Sequence, residues 1–183
     1  MNFQLYGEIM ERRFEACTMR QKFEMLAVDF DNLVYAKGKE TPLVEGDCSG
    51  AFCGPIYLMG YDIRTTADNL YRYLFIDKVT DFLSRTDIMA VFYITKVERE
   101  HFGRMVPPGT ATHIAPVVGH YVVINAFNPI DLWPTASVYE CYSNQGFNIE
   151  WRKLNMAALE EHHRKKDLLS GPDPLLEKLR KAA

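Results

Sequence analysis

Between residues 2 and 36 apolar side chains recur at three- and four-residue spacing among charged ones, as Ile9, Phe14, Cys17, Met25 and Leu26 show. This spacing predicts one or two amphipathic helices. "KGKETPLVEGD" (37–47) is rich in turn formers and charge, so it reads as a loop ending in a helix cap. The apolar run "CSGAFCGPIYLMGY" (48–61) then predicts a short helix capped by Asp47, with Cys48 in its first turn and an end near Gly60. Pro55 lacks a backbone donor, which calls for a kink or a later start. "TTADNLYRYLFIDKVTDFLSR" (65–85) predicts a further helix, capped by Thr65 or Thr66.

Then the period changes. "DIMAVFYITKVE" (87–98) is β-branched and aromatic enough for a buried strand, and "THIAPVVGHYVVINAF" (112–127) predicts two strands around a glycine-containing turn. Another strand, "ASVYECYS" (136–143), is expected after the link "NPIDLWPT" (128–135), and beyond Trp151 the chain turns charged and helical. Helices first and an antiparallel sheet second is an α+β arrangement. It divides into a main domain over residues 1–150 and a helical extension over 151–183.

Composition narrows the function more than the fold. The chain has 183 residues, 48% of them hydrophobic, and a formal net charge of -3, which offers no general attraction to nucleic acid or to anionic membranes. No run approaches the roughly 20 apolar residues of a membrane span. The four cysteines, Cys17, Cys48, Cys53 and Cys141, lack paired metal spacing, so neither a metal nor any other cofactor is expected. No stretch of signal-peptide length opens the sequence. The cysteines therefore read as reduced thiols in a chain made in the cytoplasm, and any action in the cell wall or periplasm would need export by another system.

Cysteine is among the most buried residue types and is usually inert, but Cys48 differs from the other three in its polar frame, "GDCSG" at 46–50. At a helix start, backbone N–H groups favour a thiolate and can hold an oxyanion, while the small Ser49 and Gly50 let a substrate carbonyl come close. A base is also needed. His101 falls in a charged loop and His162 and His163 on a solvated helix face, whereas His113 and His120 both fall in the strand pair. The residues alone do not choose between the last two.

The order and spacing of these segments resemble the NlpC-type cell-wall peptidases, a branch of the papain-like cysteine hydrolases. "DCSG" (47–50) resembles the family's nucleophile motif, Gly60 falls twelve residues on where a glycine ends the nucleophile helix, and "IRTTA" (63–67) is similar to a Pro-Arg-Thr segment. "DIMAVFYI" and "HIAPVVGHYVVINA" resemble the following strands. The resemblance spans about residues 22–128 and implies a papain-like fold with Cys48 as nucleophile, His113 as base and Asn125 as its orienting residue. It also puts Tyr35 beside the nucleophile. In the mechanism this predicts, backbone donors near Cys48 and Ser49 hold the oxyanion, and Arg64 either meets substrate carboxylates or forms a surface salt bridge. The segment 95–112 is longer than the family usually has. A three-residue turn over 118–120 would pair His113 with Asn125 and set His120 at the far end of the hairpin.

The implied activity is hydrolysis of peptidoglycan stem peptides between D-glutamate and a diamino acid, in a phage enzyme or a secreted effector. An amidase cutting between sugar and peptide, and an inactive wall-binding module docking a protein partner through the C-terminal helices, are the alternatives.

Overall fold

Thr18 and Gln21 cap each other reciprocally: the Gln21 N–H donates to Thr18 Oγ1 at 3.3 Å and the Thr18 N–H to Gln21 Oε1 at 2.8 Å. This starts helix α2 (Met19–Ala27) after α1 (Phe3–Phe14). The structure, a computed structural model, describes residues 3–41, 44–79, 86–119, 122–126, 130–134, 145–169 and 174–182. Phe23, Leu26 and Ala27 share the buried face of α2, where the Phe23 ring lies 5.5 Å from Phe52 on the next helix. Each such fully buried ring contributes about 1.5–3 kcal/mol.

That next helix, α3 (Gly50–Leu58), is buried from Gly50 through Tyr57, as its uninterrupted apolar sequence requires. It begins two residues after Cys48, which therefore occupies the turn before the helix and not its first turn. Pro55 is accommodated inside, its carbonyl accepting the Met59 N–H at 3.0 Å. Strands β1 (Glu40–Thr41) and β2 (Glu45–Gly46) pair with each other beside α3. They come so close that a Cβ on Gly50 or Gly54 would lie 2.0 or 2.1 Å from the carbonyl oxygens of Lys39 and Glu40.

The helix expected over 65–85 is shorter. Thr66 caps α4 (Ala67–Asn69), which widens into a π turn over Leu70–Leu74, where the Phe75 N–H reaches Leu70 O at 2.9 Å. This wider turn sends Leu70, Leu74 and Phe75 all into the core. Asp77 and Lys78 then form β3, an edge strand, and residues 80–85 lie outside the described residues.

A six-stranded antiparallel sheet carries the rest, in the order β3, β10 (Phe147–Lys153), β4 (Met89–Thr95), β7 (Ala111–Val118), β8 (Val122–Ala126), β9 (Ile130–Pro134). Along β4, alternate residues serve two cores. Ala90, Phe92 and Ile94 pack with Phe52, Ile56 and Leu70 on the helical side, while Met89, Val91 and Tyr93 pack with Ala115, Val117 and Val123 on the other. The expected α+β architecture is therefore present, with helices packed on a central antiparallel sheet.

Three differences from the expected strands matter. β9 lies in what read as a link, whereas the strand expected over 136–143 lies outside the described residues. The segment after β4 folds into a second hairpin, β5 (Arg99–His101) and β6 (Arg104–Val106), turned through Phe102 and Gly103 at φ 50° and 75°. β10 pairs with β4 along its whole length, so the expected division at residue 150 falls inside a strand. The chain beyond it forms α5 (Met156–Lys165) and α6 (Pro174–Ala182). Leu154, Leu159 and Leu168 join the main core, and Arg180 of α6 is ion-paired to Asp62.

Candidate active site

Cys48 stands at the end of a buried polar platform. Below it the Asp47 carboxylate accepts the Gly50 N–H (2.6 Å), the Gly38 N–H (2.6 Å) and the Ser49 hydroxyl (2.9 Å). Asp47 thus caps α3 from three residues before its first turn. Arg64 completes the platform: Nε lies 2.8 Å from Glu40, one Nη donates to Ser49 Oγ at 3.0 Å, and the other reaches Asp47 at 3.3 Å. Arg64 is only 7% exposed. It lines neither cavity over Cys48, so the expected contact with substrate carboxylates is replaced by a structural one. Gly50 is likewise corrected, because the space left by its missing side chain holds the Lys39 carbonyl and not a substrate.

His113 and Asn125 come together from neighbouring strands, with His113 Nε2 2.9 Å from Asn125 Oδ1. The ladder pairs Val117 with Val123 and Val118 with Val122, two residues off the expected register. Continued, it sets Ala115 opposite Asn125, so His113 and Asn125 are diagonal neighbours and not a direct pair. They still share a face, because an even shift in register preserves parity. His120 lies outside the described residues. On β4, Tyr93 pairs with His113, ring to ring at 4.7 Å, beside a bulge that leaves Thr112 as the extra residue.

Asn125 Oδ1 is an acceptor, so the imidazole nitrogen facing it carries the hydrogen and Nδ1 is the basic nitrogen of the neutral ring. Asn125 itself is fully buried, and its Nδ2 has no partner among the described residues. An orphaned buried donor costs about 1–3 kcal/mol, a strain usually found where a side chain is held for a purpose other than stability.

The β5–β6 hairpin hangs over this pair. His101 and Phe102 of the hairpin, together with Tyr35, Cys48 and Thr112, border two cavities of about 450 Å3 each. One continues past His113 toward Tyr93, Arg99 and Phe147; the other runs along Asp47, Ser49 and Asp68. Tyr35 stands beside Cys48, and its hydroxyl is held above its ordinary range by burial and by the charges of Cys48 and Asp47. His101 is the residue that sequence reasoning missed. Its loop looked like a solvated charged segment, and only the alternation Arg99, His101 against exposed Glu100 hinted at a strand with one covered face.

Electrostatics set the resting protonation. Burial, with the charge of Asp47 second, pushes the Cys48 thiol up to about 12, although the backbone N–H groups of Ile114 and Ser49 favour the thiolate. Burial lowers His113 to about 4, against the opposing effect of its hydrogen bond to Asn125. The thiolate expected from a helix start is therefore the minor form: the resting pair is thiol and neutral imidazole. Such a pair suits general-base attack, in which the proton leaves sulfur as the sulfur meets a carbonyl. Among the described residues, no group of three histidine, cysteine, aspartate or glutamate side chains could hold a metal ion.

No protein-family model and no curated protein matches the sequence. Solved structures do match the fold. An NLP/P60-family protein similar to a lipoprotein, from Staphylococcus aureus, superposes with a TM-score of 0.50 at 15% identity, over 75% of this chain and 43% of that one. NlpC1 from Trichomonas vaginalis superposes with a TM-score of 0.52 at 14% identity, over 78% of this chain and 45% of that one. The fold is NlpC-type. This chain spans less than half the length of either neighbour, and at these identities the likeness is one of fold alone. No described helix is long and apolar enough to cross a membrane.

Proposed function

We propose that this chain is a cysteine peptidase that hydrolyses peptidoglycan stem peptides between D-glutamate and a diamino acid, with Cys48, His113 and Asn125 as its catalytic residues. The observation that carries the reading is the 2.9 Å contact between His113 and Asn125 at the wall of the cavity that Cys48 also lines, on an NlpC-type fold. Asn125 holds the imidazole with Nδ1 as base. The Cys48 thiol gives its proton to that nitrogen as sulfur adds to the amide carbonyl, and the oxyanion is held by backbone N–H groups beside Cys48. Collapse breaks the C–N bond, His113 returns the proton to the leaving amine, and water activated by His113 then cleaves the thioester. The site of action would be the cell wall or periplasm, reached by export, and α5 and α6 offer a surface for a protein partner.

The burial and raised pKa of Cys48 favour a second reading, an inactive papain-like module that binds wall peptide. Digestion of purified sacculi, followed by mass spectrometry of the released fragments, separates the two. New D-glutamyl and diamino-acid termini, absent with Cys48→Ala, are expected. New sugar-to-peptide termini would make the protein an amidase, and undigested but bound sacculi a binding module.

A further inference from the structure

Five arginines among the described residues are buried or half-buried: Arg20, Arg64, Arg99, Arg152 and Arg180. Four have a carboxylate of their own, in Glu24, Glu40 with Asp47, Glu150, and Asp62 respectively. Arg99 has none among the described residues. Its guanidinium lies 4.2 Å over the Phe147 ring and donates to the Gln145 carbonyl at 3.3 Å, contacts that hold the plane in place and leave its charge without a counter-ion. It faces the cavity that holds Cys48 and His113.

The side of the reaction that this cavity serves follows from the proton. Whichever group protonates the leaving nitrogen must lie on the leaving side, and His113 borders this cavity but not the one along Asp47 and Ser49. The acyl component therefore lies over Ser49 and the leaving amine beside His113. We infer that Arg99 is a specificity-determining residue that binds a carboxylate on the leaving-amine component, an assignment that rests on the peptidase reading above. The Tyr93 and Phe147 rings wall this cavity and shield one side of such a pair, and the planar guanidinium gives it directional, two-pronged geometry. Lys37 does not compete, because it lines the other cavity and lies 4.3 Å over the Phe102 ring. Arg99 belongs to the segment between the two strands that is longer than the family usually has.

The test uses two synthetic tripeptides, L-alanyl-γ-D-glutamyl-L-lysine as the free acid and as the C-terminal carboxamide. Calorimetric binding to the full chain carrying Cys48→Ala should favour the acid by about 10- to 100-fold. Adding Arg99→Gln should bring the ratio near one, Arg99→Lys should keep part of it, and Arg99→Glu should reverse it. Thermal unfolding of each variant checks that the fold is retained. Equal affinities, an acid preference that survives Arg99→Gln, or no binding of either peptide overturns the assignment. Hydrolysis of the same pair by the native chain is read separately. Arg99-dependent binding without hydrolysis would sink the peptidase reading and keep Arg99 as a carboxylate-binding residue alone; hydrolysis with equal affinities would keep the peptidase reading and sink the assignment of Arg99.

Discussion

The two sides of Cys48 are built on opposite rules. Below it, Asp47, Ser49, Arg64 and Glu40 form a platform in which charge meets charge and hydrogen-bond donor meets acceptor. Above it, among the described residues, Asn125 Nδ2 has no partner and Arg99 no carboxylate of its own, and His113 is held neutral. The first pattern is that of a scaffold, since buried charges persist only when paired. The second is that of a site, because groups left short of partners are the ones a ligand can complete. The comparison teaches that polarity around a cysteine does not by itself mark the residues that meet substrate. Arg64 and Gly50, which the sequence reading set toward substrate, belong to the scaffold.

The sharpest break between the sides should come at Cys48 itself. Cys48→Ala is expected to abolish hydrolysis, a loss of about four or more orders of magnitude, while the unfolding free energy from urea titration changes by only about 1 kcal/mol. Next is Arg64→Met, which strands the carboxylates of Glu40 and Asp47 in the core. It should cost about 3–5 kcal/mol of stability, whereas Arg99→Gln, on the other side, should stay within about 0.5 kcal/mol. Equal costs in urea titrations would erase the distinction between scaffold and site.

Asn125→Ala should lower kcat by about 100-fold, as expected when an orienting group releases its histidine. Its stability cost should be small, because the substitution also removes the orphaned Nδ2. A full loss of stability with no specific loss of kcat would move Asn125 to the scaffold.

The smallest effect is read through pH. His113 is lowered to about 4 in the folded chain from an ordinary 6.5, so below pH 6.5 the unfolded state binds the proton more readily. Stability from this group is complete above about pH 6.5 and is lost as pH falls toward 4, by about 1–3 kcal/mol once partial exposure is allowed for. His113→Gln should flatten that stretch of the stability curve, and kcat/KM of the native chain should keep its acid limb below the ordinary histidine range.

How much of this was legible in the sequence follows from where each signal resides. Hydrophobic periodicity marked α2, β4, β7 and β8, because those elements bury their own local pattern. "DCSG" singled out Cys48, and the family resemblance with an odd-length turn put His113 and Asn125 on one face, a placement that a two-residue shift in register leaves unchanged. β10 alternates Phe147, Ile149 and Trp151 and was legible in principle. The rest depended on partners distant along the chain. That Gly50 is filled by the Lys39 carbonyl, that Arg64 is enclosed by Glu40 and Asp47, and that His101 and Arg99 overhang the cleft are facts of packing. So is the raised thiol of Cys48. A helix start read from sequence argues for a thiolate, but desolvation depends on how many neighbours close over the sulfur, and only the assembled fold determines that.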